Sequence, residues 1–487
     1  MSRLFALATA AVLATGCSSS SGGTASPGVV AGTCTLTRPT LADTHLGTSG
    51  TTLRDALGRQ VTLRGVNAGG RSKFAPYVPF DFVGDGFSAA NDAYWDRAAE
   101  WGIDVVRLPF TWAAVEPTKG MDDAAFLARY DALIDAAWKR GIYVIVDFHQ
   151  DVFAQEYCGD GFPSWVLPAP APAPHHDCPA WFFAYAQDDA VRSAFDRFWA
   201  NQDGVKDAYL ALWDRMAARY ASRPGVIGFD VFNEPSAGSS KDPAGWESTT
   251  LTAFYNEVVP RVHSAAPATL VYFEPSPEGL SAPATALGLP AGDKLVFAPH
   301  WYAFTALGGK KAPPLDGVLP ALKPLLDQAN GFQIPIHLGE CGVSHDEEGA
   351  GDYLTAHYDV LDQLQMSSTQ WEYSVAKDTW NAETLGLVDA DGTERSELTA
   401  AITRAYPRAI AGKDATWRYD ATARVLTLSY SPLGGGVTEI VAPKRVYPLG
   451  VKVTVSGGCA DGSSTPGLVL VKDDGTGAKV EITVIPG

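Results

Sequence analysis

The sequence predicts an α/β protein, a (β/α)8 TIM barrel followed by a small C-terminal antiparallel β-sandwich. Between residues 61 and 371, eight short apolar or β-branched runs alternate with longer helical stretches. After about residue 412, only short strand-like runs separated by turn residues remain. Eight strands, each followed by a helix, are typical of a (β/α)8 barrel, and 487 residues are too many for a single compact core.

The predicted barrel strands are Val61–Val66, Asp104–Leu108, Tyr143–Asp147, Val226–Phe232, Thr269–Phe273, Lys294–Ala298, Ile334–Leu338 and Ser368–Trp371. Helical stretches such as Ala124–Arg140, Asp207–Arg219 and Thr252–Ala265 lie between them, and several end at Gly or Pro, which stop helices. A doubly wound sheet usually has fewer strands, and no Gly-rich phosphate loop follows the first strand. These features favour the barrel, which we expect to span residues 34–412.

Residues 413–487 are predicted to form the β-sandwich. Its predicted strands are Trp417–Tyr419, Val425–Tyr430, Glu439–Val441, Lys452–Ser456, Leu468–Val471 and Val480–Ile485. Short strands at this spacing indicate antiparallel sheets. We expect this module to support the barrel, and a carbohydrate-binding role is the alternative.

The first residues are predicted to be an export signal that is not part of the fold. Arg3 supplies a positive charge, Leu4–Thr15 is apolar but too short to span a membrane, and Gly16 and Cys17 follow. Residues 1–17 resemble a lipoprotein-type signal peptide with Cys17 as the lipidation site, and the Ser/Gly-rich residues 18–33 would be a flexible tether. The expected location is a membrane-anchored lipoprotein on the extracytoplasmic side, and ordinary cleavage with full secretion is the alternative.

Cysteine usage and net charge narrow the range of partners. Export permits disulfides; Cys158 and Cys178 flank one loop and are the favoured pair, whereas Cys34 with Cys459 is a second pairing that would tie the ends of the mature chain. No His/Cys cluster has zinc spacing, so we expect no metal and no cofactor. The net charge of −18 argues against a nucleic-acid partner, which needs a basic surface. We expect a monomer.

Polar and aromatic side chains follow the predicted strands at the ends where barrel enzymes place catalytic groups. They are Arg107, the run Asp147–Asp151, Asn233-Glu234-Pro235, Glu274, His300-Trp301-Tyr302, Gly339-Glu340-Cys341-Gly342 and Trp371-Glu372. So many polar and aromatic side chains at one rim are not expected in a barrel that has no functional site there. Each motif alone is weak, but their joint placement on the correct strands indicates an active site.

Glu234 and Glu340 are the predicted catalytic pair. Retaining glycosidases use two carboxyl groups about 5–5.5 Å apart, one protonated for the leaving oxygen and one ionised to attack. The fourth and seventh strands lie roughly across the barrel from each other, so these two side chains can meet over its mouth. Glu234 is the predicted acid/base, and Glu340 is the predicted nucleophile.

Neighbouring residues are predicted to support this pair. Arg107 would hold Glu340 ionised, because a nearby opposite charge lowers a carboxyl pKa. Tyr302 would donate a hydrogen bond to the nucleophile. Asn233 would bind the sugar 2-hydroxyl, a contact that strengthens in the transition state, and Trp371 would offer a flat apolar face to the sugar ring.

Four further residues at the rim leave alternatives open. Glu274 also ends a strand, but it is a weaker candidate for the nucleophile because the fifth strand lies beside the fourth and not across from it. Glu372 would point away from the mouth if Trp371 points in, by strand alternation. His149 and His300 are candidate substrate-binding residues, with satisfied core histidines as the alternative.

On these motifs, the chain resembles glycoside hydrolase family 5, whose members share an Arg on strand two, a His after strand three, Asn-Glu-Pro on strand four and a Glu on strand seven. Within that family, Gly65–Pro76 and Asp147–Phe153 resemble the endoglycosylceramidase branch. The resemblance implies cleavage between the glycan and the ceramide of glycosphingolipids. It also implies that Lys73 and Asp151 hydrogen-bond the sugar next to the ceramide. One departure is Cys341, where many members carry an aromatic residue.

A ceramide product requires an apolar path away from the carboxylates. The loops after strands one and three are rich in aromatic side chains: Phe74, Tyr77, Phe80, Phe82, Phe153, Tyr157, Phe162, Trp165, Trp181, Phe182 and Phe183. With the segment Ala303–Leu322 and the lipid anchor, we expect these loops to meet a membrane surface. The alternative is a satellite core beneath the loops.

The rival functions are another family 5 β-glycosidase, such as a β-glucanase or a sterol or lipid glucosidase, and a glycan-binding surface lipoprotein without turnover.

Overall fold

A computed structural model describes residues 33–277, 285–307, 309–373, 384–389 and 391–487. The predicted signal peptide, Cys17 and residues 18–32 of the predicted tether lie outside these residues. None of the helices in the described residues combines the length and the apolar character needed to cross a lipid bilayer.

Strands and helices alternate through the first part of the chain, and strands alone follow. The strands are β1 (Gly47–Ser49), β2 (Thr52–Arg54), β3 (Gln60–Val61), β4 (Arg64–Asn67), β5 (Val105–Phe110), β6 (Tyr143–Phe148), β7 (Val226–Asp230), β8 (Leu270–Phe273), β9 (Leu295–Phe297), β10 (His337–Leu338), β11 (Ser367–Gln370), β12 (Tyr406–Ile410), β13 (Gly412–Asp420), β14 (Val425–Pro432), β15 (Val437–Val441), β16 (Val451–Ser456), β17 (Gly458–Asp461), β18 (Leu468–Asp473) and β19 (Val480–Pro486). The helices are α1 (Phe87–Glu100), α2 (Trp112–Val115), α3 (Ala124–Lys139), α4 (Ala184–Gln187), α5 (Asp189–Trp199), α6 (Val205–Tyr220), α7 (Pro243–Trp246), α8 (Thr252–Ala265), α9 (Val318–Phe332), α10 (Ala350–Gln363) and α11 (Ser396–Ile402).

Strands β4 to β11 form a parallel barrel. Their order in the sheet is β10-β11-β4-β5-β6-β7-β8-β9. The two edge strands approach each other through the bridges Phe297–Ile336 and His300–Glu340, so the sheet closes almost completely. Every residue of β5 and β6 is buried, as expected for parallel strands covered on both faces. The predicted (β/α)8 barrel is confirmed.

The predicted and observed elements differ mainly at their ends. Helix α8 has the predicted bounds, whereas the seventh barrel strand shortens from Ile334–Leu338 to the two residues of β10. Helix α3 ends at Lys139, and Gly141 then adopts φ 74°, a left-handed conformation that favours glycine. Because the eight barrel strands are parallel, their carboxyl ends share one rim, which we call the mouth of the barrel.

The C-terminal antiparallel region has two sheets and recruits strands from the beginning of the chain. One sheet has the order β1-β2-β3-β12-β15-β18-β17, and the other has the order β13-β14-β19-β16. Val61 on β3 pairs with Ala409 on β12, which lies before the boundary predicted after residue 412. The first predicted strand, Val61–Val66, is therefore divided between this sheet and the barrel. Strands of two or three residues, such as β1 to β3, carry too little pattern to be predicted.

Ion pairs join the sandwich to the base of the barrel, the end opposite the mouth. In this base network, five arginines face five carboxylates: Arg38, Arg59, Arg64, Arg404 and Arg408 with Asp55, Asp104, Asp359, Asp362 and Glu439. Arg408 on β12 lies 3.8 Å from Asp104, which precedes β5, and 3.9 Å from Glu439 on β15. A disulfide between Cys34 and Cys459 ties the N-terminal segment to β17. The sandwich is thus packed onto the barrel and not merely linked to it.

Candidate active site

Two glutamates meet at the mouth of the barrel. Glu234 follows β7 and Glu340 follows β10, and each places a carboxylate oxygen within 4.8 Å of one on the other. Retaining glycosidases hold their two carboxyl groups about 5–5.5 Å apart, whereas inverting enzymes hold them about 6.5–9.5 Å apart. The observed separation is that of a retaining pair.

Glu234 is buried and held from two sides. His300 Nδ1 lies 2.9 Å from Glu234 Oε1, and the Glu234 backbone N–H donates to Glu274 Oε2 at 2.8 Å. The φ of 45° at Glu234 is uncommon for a residue other than glycine, and such conformations occur at functional sites. Burial raises the pKa of Glu234 to about 7, although His300 opposes the rise. At neutral pH a large fraction of this carboxyl therefore keeps its proton.

Glu340 is held as a carboxylate. Arg107 Nη1 donates to Oε1 at 2.9 Å, and the Tyr302 hydroxyl donates to Oε2 at 2.9 Å, which are the two contacts that the sequence predicts. Burial would raise the pKa of Glu340, but the positive charges of His300 and Arg107 outweigh burial and lower that pKa. The pKa values of the two glutamates are therefore shifted in opposite directions, so Glu234 tends to hold a proton and Glu340 tends to lose one.

Arg107 binds more carboxylates than the sequence predicts. Its buried guanidinium donates to Asp147, Asp230, Glu274 and Glu340 at 2.8–2.9 Å, and to the side-chain oxygens of Asn67 and Asn233 at 3.1 and 2.8 Å. A signal for two of these partners exists in the sequence. Asp147 and Asp230 each lie in an apolar strand, where a buried charge requires a partner.

His300 contacts carboxylates on both ring nitrogens. Nδ1 lies 2.9 Å from Glu234 and 3.6 Å from Glu340, and Nε2 lies 3.2 Å from Glu274. Burial would lower the pKa of His300, but Glu274 and Glu340 raise it well above its usual value, so the ring is a cation. The sequence assigned His300 to the substrate, whereas the structure places it between the carboxyl groups that it holds.

The trio of Glu234, His300 and Glu340 is also the group among the described residues whose geometry could hold a metal ion. Its donors do not suit one. His300 Nδ1 lies 2.9 Å from Glu234 Oε1, the distance of a direct hydrogen bond, so the two donor atoms are already engaged with each other. The cluster is better explained as a pair of carboxyl groups joined by a charged histidine.

The two competing glutamates have supporting positions. Both oxygens of Glu274 are engaged, Oε1 with Arg107 and Oε2 with the backbone N–H of Glu234. Burial raises the pKa of Glu274 to about 7. Glu372 is buried and accepts a hydrogen bond from the backbone N–H of Gly70, away from the catalytic pair. Neither residue takes the place of Glu340 opposite Glu234.

A second charged cluster lies beside the glutamates. Lys73 donates to Asp151, and its Nζ lies 4.4 Å from the centre of the Trp371 ring. His149 donates from Nδ1 to Asp147 at 2.8 Å and stacks on Trp371 with ring centres 5.2 Å apart and planes within 10°. These predicted sugar-binding residues are brought together in one buried pocket. One face of Trp371 is thereby supported by His149.

Asn233 is fixed by its neighbours along the chain and in space. Its Oδ1 accepts from Arg107, and its Nδ2 donates to the carbonyl of Gln150 at 3.0 Å, which uses one of the two amide hydrogens. Gln150 in turn donates to the carbonyls of Asn233 and Glu234 at 2.9 and 3.0 Å. Gln150 lies inside the motif Asp147–Phe153, but the sequence predicts no role for its side chain. Its side chain holds the backbone that carries the acid/base candidate.

Three aromatic side chains of the long loop after β6 are core residues. Phe153, Tyr157 and Phe162 are almost completely buried and belong to the main core cluster. The satellite-core alternative therefore applies to them, because they cover the top of the barrel. Phe183, by contrast, is 52% exposed.

Two aromatic residues of the same loop reach the charged pocket. A disulfide joins Cys158 to Cys178, and a 3₁₀ helix, Cys178–Phe183, begins at the second cysteine. From this helix, Trp181 lies over Lys73 at 5.9 Å, and Phe182 packs against the cluster of Tyr302, Trp371 and Leu385. The sequence groups both with the lipid path, and the structure places them against Lys73 and the cluster of Tyr302, Trp371 and Leu385.

Two family profiles match the chain. The profile described as Cellulase (glycosyl hydrolase family 5) matches residues 55–377, and the Glycoside hydrolase family 5 C-terminal domain matches residues 404–484. The first match covers more than half of the chain and includes every barrel strand. The second includes every strand from β13 to β18.

Several proteins that match most of the chain are named endoglycoceramidases. Endoglycoceramidase I of Rhodococcus hoagii is 28% identical over 463 residues, which are 90% of this chain and 88% of the relative. Endoglycoceramidase of Cyanea nozakii is 24% identical over 431 residues, 78% of this chain and 79% of the relative. The solved structure of endo-glycoceramidase II from Rhodococcus sp. in its ganglioside GM3 complex has 26% identity and a TM-score of 0.77, over 90% of this chain and 100% of that one.

Proposed function

The chain belongs to glycosyl hydrolase family 5, and from that premise we propose that it is a retaining endo-β-glycosidase that hydrolyses the bond between the glycan and the ceramide of glycosphingolipids. The observation that carries the reaction type is the pair Glu234 and Glu340, within 4.8 Å and with pKa values shifted in opposite directions. Relatives that match 78–90% of the chain are named endoglycoceramidases, and one endo-glycoceramidase was solved with ganglioside GM3.

In the first step, Glu340 attacks the anomeric carbon while Glu234 gives its proton to the leaving ceramide oxygen. The glycosyl–enzyme ester that forms has no charge on Glu340. One cause of the raised pKa of Glu234 is the Glu340 charge, so that pKa falls once the ester is made. Glu234 can then accept a proton from the water that hydrolyses the ester.

The sugar next to the ceramide would occupy the charged pocket. Lys73 offers a hydrogen-bond donor to the sugar, and Asp151 offers an acceptor. Trp371 offers a flat face that His149 supports from behind. The remaining amide hydrogen of Asn233 is the group that we propose for the sugar 2-hydroxyl, because Arg107 already fixes its oxygen. Hydrogen bonds to that hydroxyl strengthen in the transition state of retaining glycosidases.

An apolar surface supports the lipid part of the proposal. Exposed apolar side chains lie on loops that follow barrel strands: Val83, Met121, Phe183, Phe304, Leu307 and Leu315. Phe304 is 70% exposed, and Phe183 follows the residue that packs against Tyr302 and Trp371. Where such side chains form a contiguous patch, they mark ligand or membrane contacts. We propose that ceramide leaves along this surface and that the same loops touch the membrane that carries the substrate.

The aglycone decides between this function and another family 5 activity, such as a β-glucanase or a sterol glucosidase. Purified protein is incubated with a ganglioside and, in parallel, with a cello-oligosaccharide, and free ceramide and shortened oligosaccharide are measured by mass spectrometry. Release of ceramide with an intact glycan is the expected result. Cleavage of the oligosaccharide alone would reject the glycosphingolipid substrate and keep the retaining mechanism. Glu340→Gln is the control for contaminating activity.

We further propose that the mature protein is an exported monomer, anchored through a lipid on Cys17 or released after signal cleavage. The signal-like residues 1–17 and the two disulfides, which form in oxidising compartments, support export. Metabolic labelling with palmitate is the test of the anchor. Label on the wild-type protein and none on Cys17→Ser is expected, and label on neither would indicate a secreted form.

A further inference from the structure

An isolated antiparallel bridge joins Asp160 to Asp151, whereas the next bridge, between Ala154 and Phe162, is parallel. The Asp160 backbone N–H donates to the carbonyl of Asp151 at 2.9 Å, and the Phe162 N–H donates to the carbonyl of Phe153 at 2.8 Å. Gly159 permits this close approach, because a Cβ at that position would lie 1.8 Å from the Asp151 carbonyl oxygen. The Asp160 side chain is therefore held firmly beside Asp151.

The two carboxyl groups are near enough for the charge of Asp151 to raise the pKa of Asp160. Residues directly opposite each other in an antiparallel pair point to one face, with Cβ atoms about 4.5–5.5 Å apart. Lys73 contacts Oδ2 of Asp151, and His149 approaches the same oxygen at 3.6 Å. Both of these cation contacts are made by Oδ2.

Asp160 is an unusual group for such a place. It is only 3% exposed, and no donor among the described residues reaches either of its carboxyl oxygens. A buried, unpaired carboxylate costs several kcal/mol, and two like charges directly opposite each other repel. Burial and the charge of Asp151 raise the pKa of Asp160 well above its usual value. Both effects favour the neutral acid, which has an O–H to donate.

We propose that Asp160 is a positioning residue of the sugar pocket, a carboxylic acid that donates its O–H to Asp151 and fixes Asp151 between Lys73 and the substrate. The inference deepens the proposed function, on which it rests for the identity of the sugar. The charged or titratable groups that face Asp160 are Asp151, Lys73, His149 and Tyr77. Ionisation of Asp160 would place a second negative charge beside Asp151 and weaken the sugar contact.

The test compares Asp160→Asn with Asp160→Ala. Asparagine keeps the shape and a donor N–H without a charge, so KM and kcat should stay within about threefold of wild type, less than the value of one hydrogen bond. Alanine removes the donor, so KM should rise about tenfold with a smaller change in kcat. The measurements use chromogenic aryl β-cellobioside and β-lactoside, which need no ceramide, with thermal unfolding as the check on folding.

Three other outcomes would overturn the inference. If asparagine is as damaging to KM as alanine, Asp160 works as an ionised acceptor and not as a donor. If both variants lower the unfolding temperature and leave KM unchanged, its role is only structural. If alanine changes neither quantity, it has no role in the pocket. Failure of the proposed function would appear separately, as aryl glycoside cleavage by the wild type without release of ceramide from a ganglioside.

Discussion

The mouth and the base of the barrel each contain an ionic network, buried at the mouth and partly exposed at the base, and the two networks differ in charge balance. In the base network, five arginines face five carboxylates. In the mouth network, four cations face seven carboxyl groups: Lys73, Arg107, His149 and His300 with Asp147, Asp151, Asp160, Asp230, Glu234, Glu274 and Glu340.

This difference separates a supporting network from a chemical one. With too few cations, some carboxyls at the mouth must keep a proton, and burial raises the pKa of Glu234 and Glu274 to about 7 and that of Asp230 above its usual value. In the base network, burial raises the pKa of Asp104 to about 6, but Arg408 and its neighbours lower that of Glu439 in spite of burial. At the mouth, the excess of carboxyl groups over cations provides an acid at neutral pH. At the base, equal numbers of arginines and carboxylates provide a rigid junction between barrel and sandwich.

The largest expected effect is the loss of the nucleophile. Glu340→Ala should lower kcat by roughly four to six orders of magnitude, because among the described residues Glu340 is the carboxylate placed opposite Glu234 at the spacing of a retaining pair. A 2-fluoro glycosyl fluoride should label the wild-type protein at Glu340 and leave the variant unlabelled in a mass spectrum of the peptides. Undiminished labelling of the variant would mean that another residue, such as Glu274, is the nucleophile.

Loss of the acid should be smaller and should depend on the leaving group. Glu234→Ala should lower kcat on a ganglioside by about 10²–10⁴-fold, the usual contribution of general acid catalysis. An aryl glycoside with an activated leaving group needs no proton, so its cleavage should fall much less. The ratio of the two rates, measured in parallel for wild type and variant, is the test. An equal loss on both substrates would contradict the assignment of Glu234.

Matched arginine substitutions test the comparison directly. Arg107→Lys at the mouth should lower kcat/KM by about 100-fold, because lysine cannot serve several carboxylates in fixed directions. Arg59→Lys at the base should lower the free energy of unfolding by about 1–3 kcal/mol and leave kcat/KM unchanged. Kinetics and urea denaturation of both variants provide the measurements. A base variant that loses activity while remaining folded would mean that the two networks are coupled.

The pH dependence of kcat/KM should follow from the unequal numbers of cations and carboxyl groups in the mouth network. The pKa of Glu234 is raised to about 7, so the proton that it must donate is present below that pH and is lost above it. The pKa of Glu340 is lowered, so the nucleophile stays ionised until more acidic pH. The kcat/KM on a ganglioside should fall on the alkaline side with a midpoint near 7. In Glu234→Gln, assayed on an activated aryl glycoside, this alkaline limb should be absent.

The smallest effect on activity is expected at the end of the molecule remote from the mouth. Replacing Cys34 and Cys459 together by serine removes the tie between the N-terminal segment and the sandwich. The free energy of unfolding should fall by about 2–4 kcal/mol, because the unfolded chain is less constrained. Activity at 25 °C should not change. A large loss of kcat with an intact fold would show that the base of the barrel influences the mouth.

The sequence alone was sufficient to predict the barrel and the central chemical pair. Apolar runs of strand length separated by helices predict eight strands, and parallel strands in one closed sheet must end at one rim. Positions along the chain were therefore enough to predict four residues at the mouth, Glu234, Glu340, Arg107 and Tyr302. Their contacts in the structure agree with this prediction.

Tertiary structure decided everything that depends on which side chains touch across the barrel. The additional carboxylates around Arg107 and the placement of His300 between carboxyl groups join residues that lie far apart in the chain. The strands before the barrel enter the sandwich because short strands are specified by their partners and not by their own pattern. Local periodicity sets the position of a strand, but only packing sets the charge balance at its end, and that balance distinguishes the acid at the mouth from the support at the base.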